Sequence, residues 1–445
     1  MFGFKFLGST KVPHRKNTAG AAPVRMPAPK EILLPMAQHI GAPAVPVVKV
    51  GDEVKVGQLV AEASGAVSSP IHSSVSGKVT KIDTYLTPSG KTVDAIRIES
   101  DGLMTPFEGI TPPTVTDLES LIEAVRASGL VGLGGAGFPT AVKLSAAKAG
   151  GIHTVVFNGA ECEPYLTCDD RTMQDRSSDL FEGVALLEKH VPTIEKFIFA
   201  VESNKPNAIA ELARIFQDNP KVSVKPLPPL YPQGAERVTV YNSTGIIVPE
   251  GKFPADLGVL IMNVTSLATM ASYVRTGMPL VEKCITVDGS AIANPMNVIA
   301  PIGTTIGDII EFTGGEKETI GKLIYGGPMM GSCACSLDEP VFKTTNGILA
   351  FKRKHSAEPE ASACIHCGKC VEVCPMGLSP VSINKALTID NIDDRMKELE
   401  YLCLTLCMDC GCCSFVCPAK RPLVQSNRIA KTAYRAYKAH KATLK

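Results

Sequence analysis

Two cysteine runs near the carboxyl end constrain this 445-residue chain more than any other feature. The first, CIHCGKCVEVCP, begins at Cys364, and the second, CMDCGCCSFVCP, begins at Cys407. Both have the spacing C-x2-C-x2-C-x3-C-P. A zinc site uses four thiolates in two pairs, so it would leave the third cysteine of each run and the proline unexplained. The runs therefore predict two copies of another metal centre.

This spacing is typical of bacterial ferredoxins, in which three close cysteines bind one [4Fe-4S] cluster and the fourth crosses to the other cluster. We therefore expect a helical, two-cluster ferredoxin-like domain over residues 360–425. The predicted ligands are Cys364, Cys367, Cys370 and Cys417 for the first cluster and Cys407, Cys410, Cys413 and Cys374 for the second. Cys403 and Cys412 lie out of register with the repeat, so we expect them to pack rather than bind iron.

Composition excludes several classes of protein. Lysine plus arginine (45) balances aspartate plus glutamate (44), which argues against nucleic acid as a partner. No segment has the roughly 18 uninterrupted apolar residues of a membrane span, and Gly3, Lys5 and Gly8 interrupt the start, unlike a secretory signal. We expect a cytoplasmic location, where 15 cysteines favour metal ligation over disulfides.

The last segment, 426–445, is a basic tail without an acidic residue. One interpretation is a solvated helix or a frayed end. In the other, the four-residue steps of Ile429, Ala433 and Tyr437 form a face that docks on an acidic subunit or an anionic membrane surface. The second interpretation predicts that removal of the tail weakens this association and spares the redox activity of the chain itself.

Residues 25–105 have the pattern of short antiparallel strands. VVKVGDEVKVGQLVAE alternates apolar and polar residues between glycine turns, and SSPIHSSVSGKVTKI repeats the style. The two stretches resemble the halves of a biotinyl/lipoyl-type barrel sandwich. That fold carries a modified lysine at a hairpin tip, whereas the tip near Ala66–Ser69 has none. We therefore expect a structural module without a swinging cofactor.

Residues 115–274 alternate helical and strand patterns. Helical stripes begin at Leu118, Leu180 and Ile209, and the apolar runs HTVVFNG, KFIFAVES and GVLIMNV lie between or after them. This alternation predicts a Rossmann-like α/β domain with a mostly parallel sheet. Residues 275–318 resemble a β-grasp, SLBB-like module with a short capped helix in GTTIGDIIEF. We expect 319–352 to return to the α/β core and HSAEPEAS to form a linker.

A glycine-rich loop, GLVGLGGAGFPT, covers residues 129–140. Clustered glycines allow backbone N–H groups to approach a phosphate, although such a loop alone is often only a turn. Asn158 and Asn263 each follow an apolar strand run, at the carboxyl ends where open α/β sheets bind ligands. Lys143 follows the loop and could contact a phosphate or a flavin edge.

The ordered motifs GLGGAGFPT, NGAECEP and MNVTS resemble those of the NADH-binding flavoprotein subunit of respiratory complex I. With the barrel-sandwich start and the two-cluster end, residues 30–425 closely resemble the RnfC family, the C subunits of Rnf complexes. The resemblance implies noncovalent FMN, an NAD(H) site and two [4Fe-4S] clusters. It also implies a peripheral position on the cytoplasmic face of the inner membrane, in an ion-translocating ferredoxin:NAD oxidoreductase coupled to Na+ or H+. The implied partners are membrane-embedded Rnf subunits, a ferredoxin-like iron-sulfur subunit and, indirectly, ferredoxin.

The resemblance assigns roles to individual residues. Those implied to surround FMN are Gly132, Gly134, Gly135, Lys143, Asn158, Glu161, Tyr231, Gly234, Glu236, Asn263, Val264 and Thr265. Those implied to contact the nicotinamide nucleotide are Phe138, by stacking, with Glu163 and Glu236. The chain departs from the complex I pattern at Leu133, Ala146 and Ala160, where an arginine, an aromatic residue and an aspartate are usual.

Physical chemistry independently requires a group such as a flavin. NADH releases two electrons as hydride, whereas each cluster accepts one, so some group must accept a pair and release single electrons. The resulting hypothesis is an NADH-oxidising electron-transfer subunit. Two alternatives are a flavin-free, ferredoxin-like adaptor and the NADH-oxidising subunit of a hydrogenase or of complex I. The adaptor leaves the glycine-loop motifs unexplained, and the third class normally lacks the barrel sandwich and the paired-cluster ending.

Overall fold

The computed structural model describes residues 8–87, 90–356 and 359–443. Within them, the strands form four sheets of six, four, four and three strands. Residues 357 and 358 of the predicted linker, the last two residues of the basic tail and the first seven residues of the chain lie outside the described residues.

The N-terminal part forms two antiparallel sheets with the strand orders β2-β8-β7-β4 and β3-β5-β6. The strands are β2 (Glu31–Pro35), β3 (Val45–Pro46), β4 (Glu53–Val54), β5 (Leu59–Glu62), β6 (Ile71–His72), β7 (Gly77–Leu86) and β8 (Thr92–Ser100), after a short β1 (Val24–Arg25). Ile32 faces Ile98 and Leu34 faces Ile96 in register, and all four side chains are fully buried. Alternating apolar residues thus supply one buried face, as the predicted sandwich requires.

The second unit is a four-stranded parallel sheet in the order β11-β10-β9-β12, as the helix-strand alternation predicts. Its elements are α1 (Leu118–Ala127), α2 (Thr140–Ser145), β9 (Thr154–Gly159), α3 (Cys168–Asp175), α4 (Ser177–His190), β10 (Lys196–Glu202), α5 (Pro206–Ile215), β11 (Val222–Leu227), α6 (Glu236–Thr244), β12 (Val259–Asn263) and α7 (Val264–Thr276). Apolar side chains of α1, α4, α5 and α7 cover one face, and Val240 of α6 lies on the other. Strand β11 has no counterpart in the sequence prediction because it is a half-exposed edge strand that contains Pro226.

The third unit is a six-stranded sheet in the order β1-β14-β13-β17-β15-β16. Its later elements are β13 (Glu282–Asp288), β14 (Met296–Pro301), α8 (Ile306–Phe312), β15 (Ile320–Tyr325), β16 (Ser332–Cys333) and β17 (Gly347–Lys352). The Thr305 hydroxyl caps α8, as expected. The expectation that 319–352 rejoins the α/β core is wrong, because β17 pairs with β13 and β15 pairs with β17. An apolar strand run does not specify the sheet that it joins.

The C-terminal unit is helical. Its helices are α9 (Lys369–Glu372), α10 (Pro380–Ala386), α11 (Ile392–Tyr401), α12 (Cys412–Val416) and α13 (Leu423–Thr443); short 3-10 helices occur at Ala146–Ala149, Pro254–Leu257, Arg353–His355 and Leu404–Leu406. In the described part of the chain, no helix has the length and apolar character needed to cross a membrane.

The predicted separation of a tail at residue 426 is wrong. Helix α13 continues across that point, and Asn427, Ala430 and Tyr434 are buried in the C-terminal unit. Of the proposed docking face, Ile429 is 63% exposed, whereas Ala433 and Tyr437 are partly buried against the core of this unit. Removal of 426–445 would therefore open the core of this unit and cannot test docking alone.

Candidate functional site

The glycine-rich loop is held by its own backbone and by two neighbouring side chains. Gly132 N–H donates to Phe138 O (2.8 Å), and Gly137 N–H donates to Gly132 O (3.1 Å). Leu133 N–H donates to Ser266 Oγ (2.9 Å), and the buried Lys283 Nζ donates to Leu133 O (3.0 Å). Residues 134–136 are exposed, so a stretch of backbone without large side chains faces solvent.

Asn158 and Asn263 lie side by side at the carboxyl end of the parallel sheet. They are register partners at the ends of β9 and β12, as the sequence predicts. A Cβ atom on Gly134 would lie 3.2 Å from Asn263 Nδ2, so glycine permits the loop to approach this strand end. The exposed loop and the two amides lie together at the carboxyl edge of the sheet, where open α/β sheets bind ligands. This edge fits a phosphate-bearing planar cofactor.

Asp169 orders the β12 side of the edge and was missed from sequence. Asn263 Nδ2 donates to Asp169 Oδ2 (2.8 Å), and Thr265 Oγ1 donates to Asp169 Oδ1 (2.7 Å). Val264 is fully buried. Burial raises the pKa of Asp169, and the hydrogen bond from Thr265 opposes that shift. Among the predicted FMN residues, Val264 and Thr265 thus contact the protein interior through their side chains.

Glu161 caps a helix in this structure. Its carboxylate accepts N–H donors from Asp169 (2.8 Å) and Asp170 (3.2 Å) in the first turn of α3. A carboxylate at a helix N-terminus satisfies donors that the helix leaves unpaired. Burial raises the pKa of Glu161 to about 7, and the charge of Lys16 opposes the shift. The residue therefore shapes the loop that carries it, and its carboxylate oxygens are already engaged.

Glu163 and Tyr231 lie at the junction with the C-terminal unit. The Glu163 carboxylate accepts N–H donors from Met329 (3.0 Å) and Met330 (2.8 Å), in the loop between β15 and β16. Tyr231 is fully buried, and its hydroxyl donates to the carbonyl oxygen of Cys410 (2.7 Å). Burial raises the pKa of Glu163, and the two backbone donors oppose this shift. Tyr231 thus joins the predicted site to the second cysteine run, whereas Glu163 holds the β15–β16 loop, whose Met329 packs beside Gly411.

Lys143, Glu236, Gly234 and Phe138 complete the predicted set. Lys143 Nζ lies 3.1 Å from Glu236 Oε2, and both side chains are partly exposed. Gly234 O accepts from Asn158 Nδ2 (2.8 Å), which ties the segment before α6 to the end of β9. Phe138 is half-buried. An exposed cation and anion therefore flank the edge formed by the glycine loop and the strand ends.

The cysteine runs cross in space as the ferredoxin pattern predicts. Cys374 of the first run lines one cavity together with Cys407, Cys410 and Cys413 of the second. Cys417 of the second run packs beside Cys370 of the first. Among the described residues, no three potential ligands converge as a single metal ion would require. A cubane has no such requirement, because each thiolate holds a different iron.

The second ligand loop receives two donors from α13 that were missed from sequence. Asn427 Nδ2 donates to Cys407 Sγ (3.4 Å). Lys431 Nζ donates to Cys407 O (2.8 Å) and to Asp409 Oδ2 (2.8 Å). Both residues lie in 426–445, which the sequence predicts to be a basic tail. Nothing in their spacing from the cysteines predicts that they contact the ligand loop. Cys412, left over from the ligand pattern, is fully buried, as its predicted packing role requires.

Two lysines, of which Lys205 is buried and Lys16 is partly buried, support the NGAECEP loop. Lys16 Nζ donates to the carbonyl oxygens of Glu161 (2.7 Å), Glu163 (2.9 Å) and Leu166 (2.6 Å). Lys205 Nζ donates to Ala160 O (2.5 Å) and forms a buried ion pair with Glu202 (3.0 Å). Lys205 follows the carboxyl end of β10, so its position could have identified it as a residue near the site. No sequence pattern identifies Lys16 in this way.

Family models cover most of the chain. The RnfC barrel sandwich hybrid domain matches residues 4–103, the Nuo51 FMN-binding domain matches 125–272 and the SLBB domain matches 284–332. Two 4Fe-4S dicluster domain models match 363–420 and 338–379. These matches agree with the predicted fold class and with the predicted FMN and paired [4Fe-4S] clusters.

Curated relatives align over nearly the whole chain. The C subunit of the proton-translocating ferredoxin:NAD(+) oxidoreductase complex of Clostridium ljungdahlii is 40% identical, over 97% of this chain and 94% of its own. The C subunit of the Na(+)-translocating complex of Acetobacterium woodii is 41% identical, over 96% of both chains. The C subunit of the ion-translocating oxidoreductase complex of Rhodobacter capsulatus is 39% identical, over 94% of this chain and 80% of its own.

A solved structure is similar in fold. A chain of an NAD+-reducing [NiFe]-hydrogenase in the H2-reduced state superposes with a TM-score of 0.50 and 18% identity, covering 70% of this chain and 61% of its own. At this identity, the likeness concerns the fold alone.

Proposed function

Because this chain belongs to the RnfC family, the C subunits of ion-translocating ferredoxin:NAD+ oxidoreductase complexes, we propose that the exposed edge at Gly134 is where NAD(H) and FMN meet. The protein is an electron-transfer subunit that carries FMN and two [4Fe-4S] clusters and works with other Rnf subunits. When bound, FMN supplies the exchange of a hydride pair for single electrons. The two relatives named for H+ and Na+ leave the coupling ion open.

The observation that carries the site assignment is the meeting of the glycine loop with two strand ends. Gly134 and Gly135 present bare backbone beside Asn263, in the position where an α/β sheet binds a phosphorylated cofactor. Lys143 supplies a cation there, and Glu236 balances its charge. Phe138 is the candidate for stacking on the nicotinamide. Glu161 and Glu163 act chiefly by holding the 161–166 loop, since backbone donors occupy their carboxylates.

The arrangement of the ligand loops supports a spatial order of the two clusters in the relay. Cys410 lies at the junction with the flavin-binding unit through Tyr231, whereas Cys367 is exposed. The second loop therefore faces the flavin-binding unit, and the first loop faces solvent and a partner subunit. We place the subunit peripherally, on the cytoplasmic face of the membrane, where NADH and ferredoxin are available.

An anaerobic NADH titration of the FMN-reconstituted chain tests this function by visible absorption and low-temperature EPR. We expect flavin bleaching followed by two cubane signals. Clusters that dithionite reduces but NADH does not would contradict the proposal and favour the flavin-free adaptor.

A charge reversal tests the location of the site. Lys143→Glu places a second anion beside Glu236, so we expect loss of FMN retained after gel filtration, with both clusters intact. Lys148→Glu is the matched control, because Lys148 is exposed on the following turn and pairs with Glu119. Normal FMN content in Lys143→Glu would place the flavin elsewhere.

A further inference from the structure

The first described residues, 8–18, form a segment outside the helices and named strands, which we call the N-terminal strap. It runs between the flavin-binding unit and the C-terminal unit and contacts both. Thr10 and Tyr231 exchange two backbone hydrogen bonds, of 2.8 and 2.9 Å. The strap thus pairs with the backbone of Tyr231, and the Tyr231 hydroxyl in turn donates to the carbonyl oxygen of Cys410.

One end of the strap lies on the first cysteine run, at a predicted ligand of the second cluster. Gly8 packs so closely on the backbone of Cys374 and Pro375 that a Cβ atom would overlap the Cys374 carbonyl group. Cys374 is the ligand predicted to cross from the first run to the second cluster. Only a residue without a side chain fits there with the strap in its present position.

The middle of the strap fills the junction. Val12 is 5% exposed and belongs to a small apolar cluster with Cys162, Tyr231, Cys410 and Cys412. This cluster combines residues of the NGAECEP loop, the segment before α6 and the second cysteine run. Val12 therefore fills the space between the flavin-binding unit and the second cysteine run.

The other end of the strap is anchored on the NGAECEP loop. His14 O accepts the Tyr165 N–H (2.9 Å), and the Lys16 ammonium donates to three carbonyl oxygens of residues 161–166. An ammonium group has three N–H donors, so each of them has a partner here. The strap is therefore attached to the first cysteine run at one end and to the NGAECEP loop at the other. Its middle, at Val12, packs in the space between the two units.

We infer that the N-terminal strap is a positioning element that sets the distance between the flavin-binding unit and the second cluster's ligand loop. The inference rests on the proposed function and assigns a role to a segment outside both cofactor sites. It predicts that displacing the strap slows electron transfer to the clusters while hydride exchange with NADH continues.

Gly8→Val tests the inference in the full-length, reconstituted protein. The added side chain must push the strap away from Cys374. We expect normal flavin bleaching by NADH, normal iron content and normal cluster reduction by dithionite. NADH-driven appearance of the cluster EPR signals should slow several-fold, because single-electron transfer becomes slower as the distance between donor and acceptor increases.

Gly20→Val is the matched control, because a Cβ atom at Gly20 would meet no atom of the described residues within 4 Å. Val12→Ala is a milder second variant, which removes apolar side-chain atoms between the two units. It tests the role of the strap if Gly8→Val loses iron. Wild-type rates of cluster reduction in Val12→Ala and in any iron-replete Gly8→Val would overturn the inference. Failure of NADH to reduce the clusters of the wild-type protein would instead contradict the proposed function.

Discussion

The contact between Asn427 and Cys407 gives a quantitative prediction for the second cluster. The Asn427 side chain is almost fully buried, and its Nδ2 lies 3.4 Å from Cys407 Sγ. Reduction adds negative charge to the cluster and its thiolates, so an N–H donor stabilises the reduced form more than the oxidised form. Asn427→Leu removes this N–H donor. Because the position is buried, a water molecule has little access to take the place of the donor. We therefore expect a more negative midpoint potential.

The magnitude follows from one hydrogen bond. A net contribution of about 0.5–1.5 kcal/mol, at about 59 mV per tenfold change for one electron, sets an upper limit of about 20–60 mV, because only the difference between the two oxidation states shifts the potential. Loss of stability should be small, because Asn427 Oδ1 is buried without a hydrogen-bond partner among the described residues and leucine has a similar volume.

The assay is an EPR-monitored redox titration of the reconstituted variant. The first cluster serves as an internal reference, because its ligands Cys364 and Cys367 lie on a separate, more exposed loop. Gln425→Leu, at an exposed position on the same helix, is the control for added apolar surface. Equal midpoints in wild type and Asn427→Leu, or equal shifts of both clusters, would refute the reasoning.

Two further predictions concern buried lysines. Lys205→Met leaves Glu202 charged and fully buried, so it should reduce the free energy of unfolding by about 3–5 kcal/mol. The double variant Lys205→Met/Glu202→Leu should recover much of this loss in urea unfolding, and an unchanged single variant would contradict the prediction. Burial lowers the pKa of Lys343 from 10.5 to about 7, so the unfolded chain binds more protons between these values and stability should rise with pH there. Lys343→Met should remove this rise, measured as the unfolding midpoint at pH 7 and pH 9; the same rise in both proteins would assign it to other groups.

The sequence predicted the features that depend on local spacing. Ligand spacing within each cysteine run is a property of consecutive residues, as is the alternation that produces β9, β10 and β12. Asn158 and Asn263 could be placed together from sequence because parallel strands end at the same edge. The family resemblance supplied the cofactors, which no periodicity specifies.

Other features depend on contacts between distant segments. The pairing of β17 with β13, the burial of Asn427 beside Cys407 and the seat of Gly8 on Cys374 each join residues from different parts of the chain. Apolar strands can pair with any compatible edge, and a polar side chain can satisfy its hydrogen bonds with any nearby backbone. The Glu161 carboxylate illustrates this, since its helix-capping role depends on where α3 begins. The sequence alone determined which cofactor chemistry this protein carries, whereas tertiary packing decided how its redox loops are held together.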